Sequence, residues 1–184
     1  MDAIIFSGLP AVGKTTVARL VAQRLGLKVV GGGDILREIA AEAGVKTSGD
    51  DDWWDKPEGI SFLQERKSSE KFDKEVDRRL LRRVDAGDVV ITSYTIPWLS
   101  RKGIKIWLSG SMESRAERMA ARDHMSKEQC RKVIGVRDDE NLEIYKKLYG
   151  IEFGRDLAPF HLVVGTDGIP AETIAEEVLK YLRK

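Results

Sequence analysis

Gly8-Leu9-Pro10-Ala11-Val12-Gly13-Lys14-Thr15 is the stretch from which the rest of the chain is read. It fits G-x-x-x-x-G-K-[ST], a loop that wraps around phosphate. Its flanks stand in the order this chemistry needs. Ala3-Ile4-Ile5-Phe6 is a short apolar run suited to a buried parallel strand. Behind the loop, Val17, Leu20, Val21 and Leu25 recur at helical spacing, with Arg19, Gln23 and Arg24 between them. Gly8 and Gly13 let the backbone close on a phosphate, and the amides from Ala11 and Val12 onward, with the positive end of the helix dipole, point at it. Lys14 reaches the outer phosphates of a nucleoside triphosphate, and the Thr15 hydroxyl can ligate Mg²⁺.

Outward from that unit, β-like and α-like segments alternate, the pattern of a parallel sheet with helices on both faces. Leu27 to Val30 reads as a second strand, followed by three glycines and a helix from Asp34 to Ala43, with Asp34 as its cap and Ile35, Ile39 and Ala43 as its inward stripe. Residues 45–63, with Asp50-Asp51-Asp52-Trp53-Trp54-Asp55, read as an acidic loop or a cover over a substrate. A charged helix over about 65–84 buries Phe72, Val76, Leu80 and Val84. Val89 to Thr92 and Ile104 to Leu108 are the third and fourth strands. Ser111 caps a helix to about Arg122. Ser126 and Gln129 form a capping box for another that runs to Tyr149, with Gly135 a candidate break. Leu162 to Val164 is the fifth strand, and Pro170 opens the last helix. The expected fold is the P-loop kinase type of three-layer α/β/α sandwich, its five-stranded parallel sheet ordered 2-3-1-4-5 by analogy with that fold.

Composition narrows the class. The 184 residues suit one domain, with an acceptor-binding region over about 32–84 and a lid over about 118–140. The net charge is +1, so no global basic field attracts nucleic acid or an anionic membrane. One cysteine, Cys130, excludes an intrachain disulfide, fits a reducing cytoplasm and reads as a spectator thiol on a charged helix. No apolar run is long enough to span a bilayer, and the strand-like start reads as lacking a signal peptide. His124 and His161 stand alone, without the spacing of a zinc site. A monomer or a homodimer is expected.

In open parallel sheets ligands bind at the carboxyl ends of the strands. Three groups fall there besides the loop. Arg37, beyond Gly33, is a candidate to grip an acceptor phosphate on the first turn of its helix. Asp73 and Asp77, i and i+4 on one helix side, could accept hydrogen bonds from a base or ribose. Arg118, Arg122 and Arg137, with Arg115 and Arg131 nearby, could close positive charge onto a moving phosphoryl group.

The chain resembles the archaeal-type cytidylate kinases of the nucleoside monophosphate kinase group. The likeness rests on the loop with Thr16, on Gly33-Asp34-Ile35-Leu36-Arg37, and on Phe72-Asp73-Lys74-Glu75-Val76-Asp77-Arg78-Arg79. It extends through Lys105-Ile106-Trp107-Leu108, Arg115-Ala116-Glu117-Arg118, Arg122-Asp123 and Tyr145-Lys146-Lys147-Leu148-Tyr149-Gly150-Ile151. The resemblance implies transfer of the ATP γ-phosphoryl to a small nucleotide, CMP or dCMP, with Mg²⁺. Gly8, Ala11, Val12, Gly13, Lys14, Thr15 and Thr16 would hold ATP, Gly33, Arg37, Asp73, Asp77 and Tyr94 the acceptor, and Lys14, Arg118, Arg122 and Arg137 would act in catalysis. Two positions depart from the family pattern: Tyr94 and Ile144 stand where arginines are expected. Two alternatives stay open, a kinase for another small acceptor that uses Tyr94 and the tryptophans, and a nucleotide-binding regulator without turnover.

Overall fold

The computed structural model describes residues 1–45 and 70–183. Five strands form one parallel sheet in the order β2-β3-β1-β4-β5: β1 (Ile4–Gly8), β2 (Lys28–Gly31), β3 (Val89–Thr92), β4 (Ile104–Ser109) and β5 (Leu162–Gly165). The helices among the described residues are α1 (Lys14–Leu25), α2 (Gly32–Glu42), α3 (Glu70–Ala86), α4 (Ile96–Leu99), α5 (Met112–Asp123), α6 (Lys127–Tyr149) and α7 (Ala171–Leu182). The expected fold class and strand order are both realised. β1 lies at the centre because all five of its residues are buried, with Ile4 registered against Val90 of β3 on one side and Ile104 of β4 on the other.

Alternation along β1 assigns the two faces. Ile4 and Phe6 pack with Val17 and Val21 of α1 and Ile174 and Val178 of α7. Ile5 turns to the opposite face, against Ile35 of α2 and Val76, Leu80 and Val84 of α3. Lys105 shares the sheet row of Ile5 and is buried; its Nζ donates to the Ser100 carbonyl at 2.5 Å, and desolvation lowers its pKa. A separate apolar cluster joins α5 to α6 through Ala116, Met119, Cys130 and Ile134. An aromatic cluster beside β4 brings Trp107 and Phe153 together with Tyr94, Trp98, Tyr145 and Phe160.

Several local readings change. α2 starts at Gly32, because Asp34 acts from the third helical position: its Oδ2 accepts the Gly31 N–H at 2.7 Å. The buried stripe of α2 is therefore Ile35, Leu36 and Ala40, and Arg37 stands on the second turn. α6 runs unbroken through Gly135, since tertiary packing of Cys130 and Ile134 outweighs a cost of about 1 kcal/mol for one helical glycine. Cys130, read as a spectator thiol, is fully buried as a packing residue between α5 and α6. The short α4 lies between β3 and β4, a stretch with no element assigned from the sequence, with Pro97 in its first turn. Pro170 is the residue before α7. The Trp53-Trp54 stretch and the start of the charged helix lie outside the described residues.

Candidate active site

β1 delivers the phosphate-binding loop to the carboxyl edge of the sheet. Gly8 has φ 150°, and a Cβ there would stand 2.4 Å from the Leu108 carbonyl oxygen, so only glycine lets β1 turn against β4. Gly13 caps α1 at φ 94°, ψ 15°, with open space where a side chain would stand. Val12 is buried under the loop, whereas Thr15 and Thr16 are exposed at the start of α1. Lys14 arches back across the loop and donates to the carbonyls of Gly8 and Leu9, each at 2.9 Å. Its ammonium also lies 4.6 Å from the centre of the Tyr94 ring. Desolvation, then the charges of Arg137 and Arg115, push the Lys14 pKa down to about 7, with Asp138 opposing.

Two cavities meet at this loop. One, of about 460 Å³, is lined by Lys14, Thr15, Gly33, Asp73, Asp77 and Arg137, with Tyr94 and Tyr145 supplying aromatic surface. The other, of about 540 Å³, is lined by Ala11, Gly13, Thr16, Arg118, Arg122 and Ile169. The loop is the wall between them. Its glycines, free helix-end amides and lysine fit a polyphosphate. Mg²⁺ is bound by few protein oxygens and shares its remaining positions with phosphates and water. The exposed Thr15 hydroxyl at the first turn of α1 suits that donor set, and no group of three or more His, Cys, Asp or Glu among the described residues could hold a metal.

The candidate arginines take separate places. Arg137 lines the first cavity and has no carboxylate partner among the described residues. Arg118 lies at the second cavity and is tied to Thr166, through Oγ1 at 3.1 Å and through its carbonyl. Arg122 is also there, paired with Asp123 at 2.6 and 2.7 Å. Arg115 points inward. It is 4% exposed, makes two bonds to Asp138 at 3.0 and 2.9 Å, and reaches the Pro10 carbonyl at 3.4 Å. Arg131 pairs with Glu113 on the surface. Arg37 bonds Asp34 at 2.5 Å and does not line the first cavity, which is bounded on that side by Gly32, Gly33 and Leu36.

Asp73 and Asp77 both line the first cavity, and the Asp77 carboxylate is largely engaged. Oδ1 accepts from the Thr95 hydroxyl at 2.6 Å and Oδ2 from the Tyr149 hydroxyl at 2.7 Å. Desolvation, then the bond to Asp77, raises the Tyr149 pKa, so this hydroxyl stays a donor. Ser93 stabilises the turn: its hydroxyl accepts the amides of Thr95 and Ile96, both at 3.2 Å. Sequence reasoning did not single out Asn141 or Tyr145 as site residues, yet both line the cavity with Arg137. The signal was present, because Arg137, Asn141 and Tyr145 stand at i, i+4 and i+8 on α6 and share one face.

Known proteins resemble this chain in sequence and in fold. The family model for the cytidylate kinase-like family matches residues 3–167. A cytidylate kinase of Pyrobaculum islandicum is 35% identical over 187 residues, covering 99% of this chain and 93% of that one. A cytidylate kinase of Pyrobaculum aerophilum is 33% identical over 183 residues, with 98% and 92% covered. Among solved structures, a shikimate kinase from Bacteroides thetaiotaomicron aligns with TM-score 0.61 at 18% identity, covering 100% of this chain and 99% of that chain, which is a likeness of fold.

Proposed function

The chain belongs to the cytidylate kinase-like family and is a nucleoside monophosphate kinase, and from that premise we propose that it moves the γ-phosphoryl of ATP to CMP or dCMP. The observation that carries the reading is the pair of cavities on either side of Lys14 and Thr15. A phosphoryl donor and an acceptor must approach one point from opposite sides, because the transferred group passes in line between two oxygens. ATP takes the cavity beside Gly13, Thr16, Arg118 and Arg122, with its phosphates on the amides from Ala11 to Thr16. Mg²⁺ on the Thr15 hydroxyl and phosphate oxygens would neutralise charge on the transferring group. The monophosphate takes the cavity of Gly33, Asp73, Asp77 and Tyr94.

Within that reading Lys14 and Arg137 flank the migrating group, and α5 with the first half of α6 is the lid. Arg118 and Arg122 act from the donor side. Arg37, paired with Asp34, stabilises the start of α2 and lies behind the acceptor cavity. Asp73 is the carboxylate that meets the amino group of a cytosine, while Asp77 holds the turn at Ser93 to Thr95 against α6. A cytoplasmic location, where ATP and monophosphates are available, goes with this activity.

The test is a coupled assay of ADP release with ATP, Mg²⁺ and, in turn, CMP, dCMP, UMP, AMP and GMP. Turnover is expected to be highest with CMP or dCMP. ADP release no greater than in the absence of acceptor, for every monophosphate, overturns the acceptor assignment.

A further inference from the structure

Tyr94 lines the first cavity together with Lys14 and Arg137, the two cations that the proposed transfer uses. Its ring centre is 4.6 Å from the Lys14 ammonium, within the range where a ring face attracts a cation. The ring is fixed from behind: Phe153 meets it edge-on at 5.5 Å, and Tyr145 lies at 6.0 Å with a 33° tilt. The Tyr94 carbonyl accepts from the Ser7 hydroxyl at 3.4 Å, which ties the backbone to β1. One side chain, held by β1 and by the aromatic cluster, therefore touches the phosphate-binding loop and α6 at once.

We infer that Tyr94 is a positioning residue whose ring holds the loop lysine at its place in the cleft. The physical case rests on charge. Arg137 and Arg115 already crowd the loop, and their charges disfavour the charged form of Lys14. An arginine at position 94 would add a fourth cation. An aromatic ring instead offers its negative face to Lys14 and adds no charge of its own.

The inference rests on the reading of the cleft as the kinase site, and its test separates the two. Tyr94→Phe and Tyr94→Leu are made in the full chain. The readouts are the Kd of ATP by calorimetry, kcat with ATP and CMP, and thermal unfolding. Tyr94→Phe keeps the ring, so the ATP Kd should stay within about 2-fold. Tyr94→Leu should weaken ATP binding by about 3- to 10-fold, through Lys14. An unchanged ATP Kd in Tyr94→Leu, or an equal loss in Tyr94→Phe, overturns the inference. A purely structural tyrosine would lower the melting temperature without separating the two variants in ATP Kd. If the wild-type chain phosphorylates no monophosphate, the acceptor reading fails, and the ATP-binding comparison still decides the ring's link to Lys14.

Discussion

Breaking the buried pair of Arg115 and Asp138 should unfold the protein at markedly lower denaturant. The pair joins α5 to α6 beneath the phosphate-binding loop through two bonds of 3.0 and 2.9 Å, with the Arg115 side chain 4% exposed and that of Asp138 15% exposed. Asp138→Asn removes the negative charge that compensates the buried guanidinium, which otherwise meets only the Pro10 carbonyl at 3.4 Å and whose Nε has no partner among the described residues. Removing one partner of such a pair costs about 3–5 kcal/mol, since the other charge stays buried without compensation. Arg115→Met leaves the more exposed member, which water can reach, and should fall at the lower end, at about 3 kcal/mol. For a chain of this size about 3 kcal/mol lowers the melting temperature by roughly 6–12 °C. The double variant removes both charges and should lose less than the two singles together, by about 2 kcal/mol or more. Urea unfolding followed by circular dichroism, with slope and midpoint fitted for all four proteins, gives these values. Asp138→Asn within about 1 kcal/mol of wild type, or singles that simply add in the double, would refute the reasoning.

Arg137→Met should lower kcat by about 100-fold or more while the melting temperature stays within about 2 °C, because the side chain is exposed and makes no ion pair among the described residues; steady-state kinetics beside a melt checks it. Lys14 titrates near 7 in the free protein, and bound triphosphate should favour its charged form. ATP binding at pH 8 should therefore take up protons and weaken as pH rises above 7, measured by calorimetry in buffers of different ionisation enthalpy; zero proton uptake counts against it. Gly8→Ala should destabilise the fold or prevent it, as the new Cβ meets the Leu108 oxygen at 2.4 Å, visible as loss of soluble, cooperatively melting protein. Tyr149→Phe should cost about 1–2 kcal/mol in urea by leaving one oxygen of Asp77 without its donor.

Much of the architecture was legible because its signals are local. A buried parallel strand is apolar along its whole length, an amphipathic helix repeats its apolar face, and capping residues stand next to what they cap. β1, α1, the Ser111 cap and the Ser126 capping box could be read that way. Readings drifted where a local signal had two outcomes. Asp34 has the chemistry of a cap but serves from inside the first turn, which shifted the buried stripe of α2 by one residue and moved Arg37 off its expected turn. Arg115, Arg118 and Arg122 looked alike by spacing. Packing of α5 on α6 buries the first, the segment after β5 holds the second through Thr166, and the third stays at the surface with Asp123.

From the sequence alone follow the donor side and the family: a strand, a glycine loop and a helix are contiguous, so the phosphate cradle is written in eight consecutive residues. Tertiary structure decided the other side. Asp73 and Asp77 of α3, Tyr94 after β3, and Arg137, Asn141 and Tyr145 of α6 are far apart in the chain, and only the parallel sheet brings them to one cavity. The same packing decides which groups remain free to act. Asp77 is engaged by Thr95 and Tyr149, whereas Arg137 faces the cleft beside Tyr94 without a carboxylate partner among the described residues. Spacing along a helix can put a charge on a face, but whether that charge is neutralised depends on what another segment brings against it.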